Sequence, residues 1–236
     1  MEKKYRLTDE TIEFGGVELH RIEALKDFDH IKKGDKGGFV QSENNLSHIG
    51  NCWIFDNSMV YGKAEVFGDA IIYCSAKVYD NANVFGEAKV FGCAYVFGDA
   101  MIYGSAKVYY NAKVFGNANV FGDANVFGDA YVYGKAEVYD NAYVCGNVKV
   151  CGDTTIRGFA NVSSYSDYII FKNWWSSMRY FTWTRSNNMW SVGCFYGTGK
   201  ELIEKAYKDS ELSGREYKRV VDYVESILRD EKLKNN

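Results

Sequence analysis

From Ile54 to Asn161 the chain divides without a gap into hexads, eighteen in all. Residues 114–131 read VFGNAN, VFGDAN, VFGDAY and show the pattern at its plainest. Every first position is Val or Ile. The third is mostly Gly, the fourth is usually Asp, Asn, Ser or Lys, and the fifth is Ala except at Ser58, Val148 and Thr154. A period of six excludes an amphipathic α-helix, whose apolar stripe recurs near 3.6 residues. β-branched residues alternating with outward ones, broken by Gly-Asp and Gly-Asn corners, describe short strands joined by turns. Hexapeptide repetition of this kind predicts a parallel β-helix.

Each position then has a task. Val and Ala alternate inward along the strand, while the sixth residue and the aromatic second residue point outward. Gly takes the corner conformation that a Cβ would strain. Three hexads close one triangular coil, so the eighteen predict about six coils stacked to about 29 Å. Proline is absent from the chain, which fits a backbone whose N–H groups are committed to sheet ladders.

This [Ile/Val]-x-Gly-x-Ala-x pattern resembles the hexapeptide-repeat superfamily. The resemblance implies a single-stranded, left-handed parallel β-helix. The lead-in ALKDFDHIKKGDKGGFVQSENNLSHIGNCWIFDN, residues 24–57, is similar to that of hexapeptide-repeat proteins of bacteria and prophages, which are labelled transferases or polymer-forming proteins because of the repeat. The best-known members of the superfamily are acyltransferases with an acyl-CoA donor and a histidine base. They also carry a loop excursion from a coil. Here the three histidines, His20, His30 and His48, all precede the hexads, and no loop interrupts them. His48, just before the first clear coil, is the one weak candidate for a base.

Phe or Tyr occupies the second position of fifteen consecutive hexads, Phe55 to Tyr139. On a triangular winding these rings make three outward ladders, which include Phe91, Tyr109 and Phe127; Phe97 and Phe115; and Tyr103 and Phe121. Stacked rings can brace the sheet, or they can form an interface, because monomers seldom expose large apolar patches.

The ends need covers. Residues 1–45 read as an N-terminal β cap with a hairpin around Gly15-Gly16, residues 46–162 as the β-helix, and residues 163–236 as a small α+β domain. In the last, two or three antiparallel strands with a turn near Ser186-Asn187-Asn188 precede two helices. Capping boxes at Thr198–Glu201 and Ser213–Glu216 open them. Trp174, Trp175, Trp183 and Trp190, with Arg179 and Arg185 among them, are core candidates. They are also the first candidates for recognition, since Trp and Arg dominate interaction hot spots.

Six cysteines without a CxxC pair, distant from the histidines, argue against a metal site and read as reduced, small apolar residues. The net charge of −3 and the lack of a Lys/Arg cluster along a face argue against nucleic-acid binding. With no apolar run of signal-peptide or membrane-spanning length, the expected location is the cytoplasm. No cofactor is expected. The reading is a mainly β, non-catalytic scaffold or binding protein, dimeric or trimeric and phage- or prophage-associated. The alternatives are an atypical acyl-CoA-dependent acyltransferase, or an accessory protein that captures a host protein or small ligand.

Overall fold

The structure, a computed structural model, describes residues 2–175 and 178–234. The chain separates into two compact units between Tyr165 and Ser166.

In the first unit each hexad supplies one two-residue strand, formed by the sixth residue of the hexad before and its own first residue, as in Lys77–Val78. Strands pair in parallel at one-coil steps: Tyr95–Val96 lies between Lys77–Val78 and Lys113–Val114. Three sheets result. The first runs from Met59–Val60 to Lys149–Val150, the second from Trp53–Ile54 to Asn161–Val162, and the third from Glu65–Val66 to Thr155–Ile156. Amides at the second, fourth and sixth positions donate to carbonyls one coil on: Phe97 N to Val114 O (3.0 Å), Asp99 N to Gly116 O (2.8 Å), Met101 N to Ala118 O (3.0 Å). A proline at any of these positions would delete a rung.

The prism interior is apolar and narrow. First-position Val and Ile side chains are 0–1% exposed, and the fifth-position Ala residues are fully buried. Burying each Val contributes about 1.5 kcal/mol, so the column is the main source of the unit's stability. Where a hydroxyl replaces Ala, it turns back to its own corner: Ser58 Oγ donates to Phe55 O (2.5 Å) and Thr154 Oγ1 to Cys151 O (2.5 Å). The buried oxygen is thereby satisfied.

The helix has about seven coils, one more than the hexads predict. The additional one lies upstream. Strand β3 (Lys36–Val40) pairs in parallel with Met59–Val60, and Leu46 bridges to Val66. Val40 and Leu46 therefore act as first positions, but Leu46 and Ile54 are eight residues apart rather than six, which hides the coil from a period-six reading. Before it, β1 (Tyr5–Phe14) and β2 (Val17–Ala24) form the expected hairpin, and β2 pairs antiparallel with β3. The hairpin thus extends the first sheet to nine strands.

The second unit is a four-stranded antiparallel meander, Tyr168–Lys172, Tyr180–Thr184, Met189–Val192 and Phe195–Gly197, followed by α1 (Gly199–Asp209) and α2 (Glu211–Lys234). One more strand forms than the sequence suggests. Its short Phe195–Gly197 segment pairs with Met189–Val192, and the turn falls at Arg185–Asn188, where Asn188 has φ +53°. Phe181, Trp183, Trp190, Val192, Leu202, Val221 and Val224 make its core. The capping box of α1 is formed as expected: Thr198 accepts from Glu201 N, and the Glu201 carboxylate accepts from Thr198 N at 2.8 Å. The second box is corrected. Helix α2 begins at Glu211, and the Ser210 hydroxyl takes the Ser213 N–H at 3.1 Å, so Ser213 lies in the first turn. Gly214 follows because any Cβ there would meet the Tyr207 ring of α1 at 2.2 Å.

Candidate functional site

The second-position rings form three stacks. From Tyr61 to Tyr133, Phe67 to Tyr139 and Tyr73 to Phe127, successive centroids lie 4.5–5.0 Å apart with planes within 9° of parallel. Stacked this way, each interior ring spends both faces on its neighbours and offers solvent only an edge. Phe91, Phe97, Tyr103, Tyr109, Phe115, Phe121 and Phe127 are accordingly half-buried. Two stacks are closed by other side chains. Phe14 of β1 meets Tyr61 edge-on at 5.9 Å, and Arg157 lies over Tyr139 at 5.5 Å while donating to its hydroxyl at 2.7 Å. Burial raises the phenol pKa of Tyr61, Tyr73, Tyr79, Tyr103, Tyr109 and Tyr139, to about 12 for Tyr61, because the ionised form would lose its hydration.

A second column runs beside one stack. The sixth positions of the first sheet read Lys77, Tyr95, Lys113, Tyr131, Lys149. Tyr95 has Lys77 and Lys113 Nζ at 4.9 and 5.6 Å from its centroid, and Tyr131 has Lys113 and Lys149 at 5.2 and 5.9 Å. Each ring is held between two ammonium groups, and the shared rings offset the like-charge repulsion of lysines two coils apart. This corrects the expectation that no basic cluster runs along a face. The lysines recur at every second coil, so they are scattered in sequence and aligned in space. Lys149, Tyr131, Tyr133, Phe115 and Asn147 border an open recess of about 410 Å³ on this face. The same outward positions of the third sheet carry Glu65 and Glu137 instead. Sequence reasoning missed this column, although reading sixth positions at one-coil steps would have shown it.

His48 sits at the other end of the unit. Its Nδ1 accepts from the Lys4 backbone N–H at 3.2 Å, its ring stacks on Tyr5 at 4.4 Å, and its Nε2 is shielded from solvent 3.7 Å from Glu43 Oε2. Acceptance at Nδ1 places the proton of the neutral ring on Nε2. Lys3 donates to Glu43 at 2.6 Å and holds its carboxyl below the usual carboxylate range. Beneath His48, Lys4 is 1% exposed and donates to Gly50 O, Cys52 O and Cys52 Sγ at 3.2, 2.8 and 3.2 Å. Among the described residues no disulfide joins the cysteines. Cys52 alone is fully buried, whereas Cys74, Cys93 and Cys194 are exposed, so use as a small apolar residue describes the surroundings of Cys52 and not those of the exposed three.

In the second unit, Trp183 and Trp190 are core residues at 1% and 2% exposure. Trp183 Nε1 donates to Asn188 Oδ1 at 2.9 Å. Trp175 packs against that core, and Trp174 is 73% exposed. Arg185 pairs with Glu231 through two hydrogen bonds (2.7 and 3.2 Å) and donates to Ser166 O. Arg179 lies over Gly193 and lines, with Cys194, Lys205, Asp209 and Tyr217, a cavity of about 20 Å³, which has room for one water. The structure therefore separates the six candidates into two core tryptophans, one packed and one exposed tryptophan, and two arginines with different surroundings.

Among the described residues no group of three or more His, Cys, Asp or Glu side chains converges as a metal site, and no helix is long and apolar enough to cross a membrane. One strand per hexad, three strands per coil and parallel pairing at one-coil steps define a hexapeptide-repeat parallel β-helix. Over 66 residues the chain is 35% identical to the uncharacterized acetyltransferase YdcK of Escherichia coli (strain K12); the match covers 25% of this chain and 20% of that protein. No family model matches the chain. The similarity and the stacked coils together fit a hexapeptide-repeat β-helix protein.

Proposed function

We propose that this chain is a β-helix scaffold that works by binding, self-associating through the faces of its coils and engaging a further partner through its C-terminal unit. The observation that carries the reading is the complementary charge of two faces. Lys77 and Lys149 lie four coils apart on the first sheet, and Glu65 and Glu137 lie four coils apart on the third. Copies packed side by side with parallel axes bring the two columns together at matching heights, and cyclic closure then gives a small ring. Trp174, whose ring is exposed, is the anchor offered to a further partner, a host protein or a small ligand. Sedimentation equilibrium tests self-association: a defined dimer or trimer that dissociates at high salt is expected, and a monomer at high concentration overturns it.

A second reading, an acyl-CoA-dependent acyltransferase, is favoured by the similarity to YdcK. Calorimetry with acetyl-CoA decides between them. Saturable binding that is lost in His48→Ala favours the enzyme, and flat isotherms favour the scaffold.

A further inference from the structure

We propose that Lys4 and Cys52 form a covalent modification site, in which oxidation joins Nζ to Sγ through one oxygen atom and ties the N-terminus to the first coil. A lysine is almost never fully buried without a charged partner. Yet Lys4 is 1% exposed, and its ammonium group meets two carbonyls and a thiol with no carboxylate in contact. Nζ and Sγ are 3.2 Å apart, and the Cys52 thiol is fully buried. The thiol itself donates toward Ser47 O and Ile49 O, at 3.5 and 3.8 Å. Phe28, 5.2 Å from Nζ, covers the pair from above.

Burial lowers the pKa of the Lys4 ammonium and raises that of the Cys52 thiol. Both shifts favour the neutral forms. In that state two amine N–H groups bond the carbonyls and the amine nitrogen keeps a lone pair beside Sγ, whose own hydrogen is directed at Ser47 O. Two nucleophiles in contact are shut away from bulky reagents, which leaves a small oxidant such as dioxygen to react with them.

With dioxygen as the oxidant the step balances. The amine loses one hydrogen and the thiol loses its own. One oxygen atom enters between nitrogen and sulfur, and the second leaves as water. The pair gives up four electrons and dioxygen takes them. Reduction by two equivalents of a dithiol returns amine, thiol and one water. The bridge closes a loop from residue 4 to residue 52, so it restricts the unfolded chain.

The test is mass spectrometry of the full chain after incubation in oxygenated buffer, with free thiols alkylated under denaturing conditions. The expected product is heavier by one oxygen and lighter by two hydrogens, maps to a peptide pair containing Lys4 and Cys52, and disappears with dithiothreitol. It is absent in Lys4→Met and Cys52→Ala, and its formation raises the melting temperature by several degrees. The wild-type comparison with and without dithiothreitol stands even if either variant fails to fold. Three outcomes overturn the proposal: Cys52 stays fully alkylatable, the sulfur gains oxygens without a link to Lys4, or hydrogens are lost with no oxygen gained.

Discussion

Gly98 shows what the corner demands of a residue. It takes φ +70°, and a Cβ there would lie 2.8 Å from the Gly116 backbone nitrogen one coil on. Gly98→Ala is expected to cost about 2 kcal/mol from the unfavourable dihedral and the backbone clash together, read as a lower midpoint in urea. Asp at the same position compensates by another route. Asp56, Asp80 and Asp140 also take positive φ, and their carboxylates accept the N–H of Cys74, Gly98 and Gly158 one coil on, at 2.9, 3.2 and 3.1 Å. These corner roles could be read directly from Gly-Asp and Asp-Asn. The burial of Lys4 could not, because nothing in MEKKYRL distinguishes the lysine that turns inward. The stacked tyrosines make a pH prediction at the same scale. A phenol whose pKa is raised by folding holds its proton longer in the folded chain, so its contribution is complete below the unfolded value near 10 and is lost as pH rises toward the folded value. For Tyr61 that window runs from pH 10 to about 12. Ultraviolet titration should show tyrosinate appearing late in folded protein, and the melting temperature should fall across the same window. Ionisation of all tyrosines near pH 10 with the fold intact would contradict the stacked, half-buried geometry.

Among elements, the two-residue strand is too short to be stable on its own, and it persists because each coil is a template for the next. Its hydrogen bonds run between coils, so a strand's existence was legible only from the period and never from local propensity. Where the period slips, as between Leu46 and Ile54, the sequence signal is lost although the coil is there. The helices differ in this respect. Helix α1 carries its own start signal, and Thr198→Ala should destabilise the second unit by about 1 kcal/mol, measurable as an earlier loss of the near-ultraviolet signal of buried Trp183 and Trp190. Glu201, held below its usual pKa by bonds to the Thr198 backbone and hydroxyl, adds stability that is lost as pH falls through its folded value. For α2 the local signal misled, because Ser213-x-x-Glu216 and Ser210 compete for the start. The connection Asp209–Glu211 settles the choice by leaving only Ser210 outside both helices.

For the whole molecule, the faces of the prism matter more than any motif. The fold class was legible because one short rule is repeated, but the distribution of charge over three faces emerges only when positions eighteen residues apart are read together. That distribution makes self-association testable by charge reversal. Lys77→Glu with Lys149→Glu places like charges opposite Glu65 and Glu137, and repulsion of this kind acts strongly on wrong pairings. The expected result is a monomer by sedimentation, with the melting temperature of the first unit little changed because all four side chains point out from the strands. Adding Glu65→Lys and Glu137→Lys restores complementarity with the signs exchanged, and the oligomer should return. If the fourfold variant stays monomeric while remaining folded, contacts other than these columns join the copies. If the double variant assembles as well as the wild type, the columns play no part in assembly, and the alternation of lysine and tyrosine is explained by the cation–π contacts within one chain.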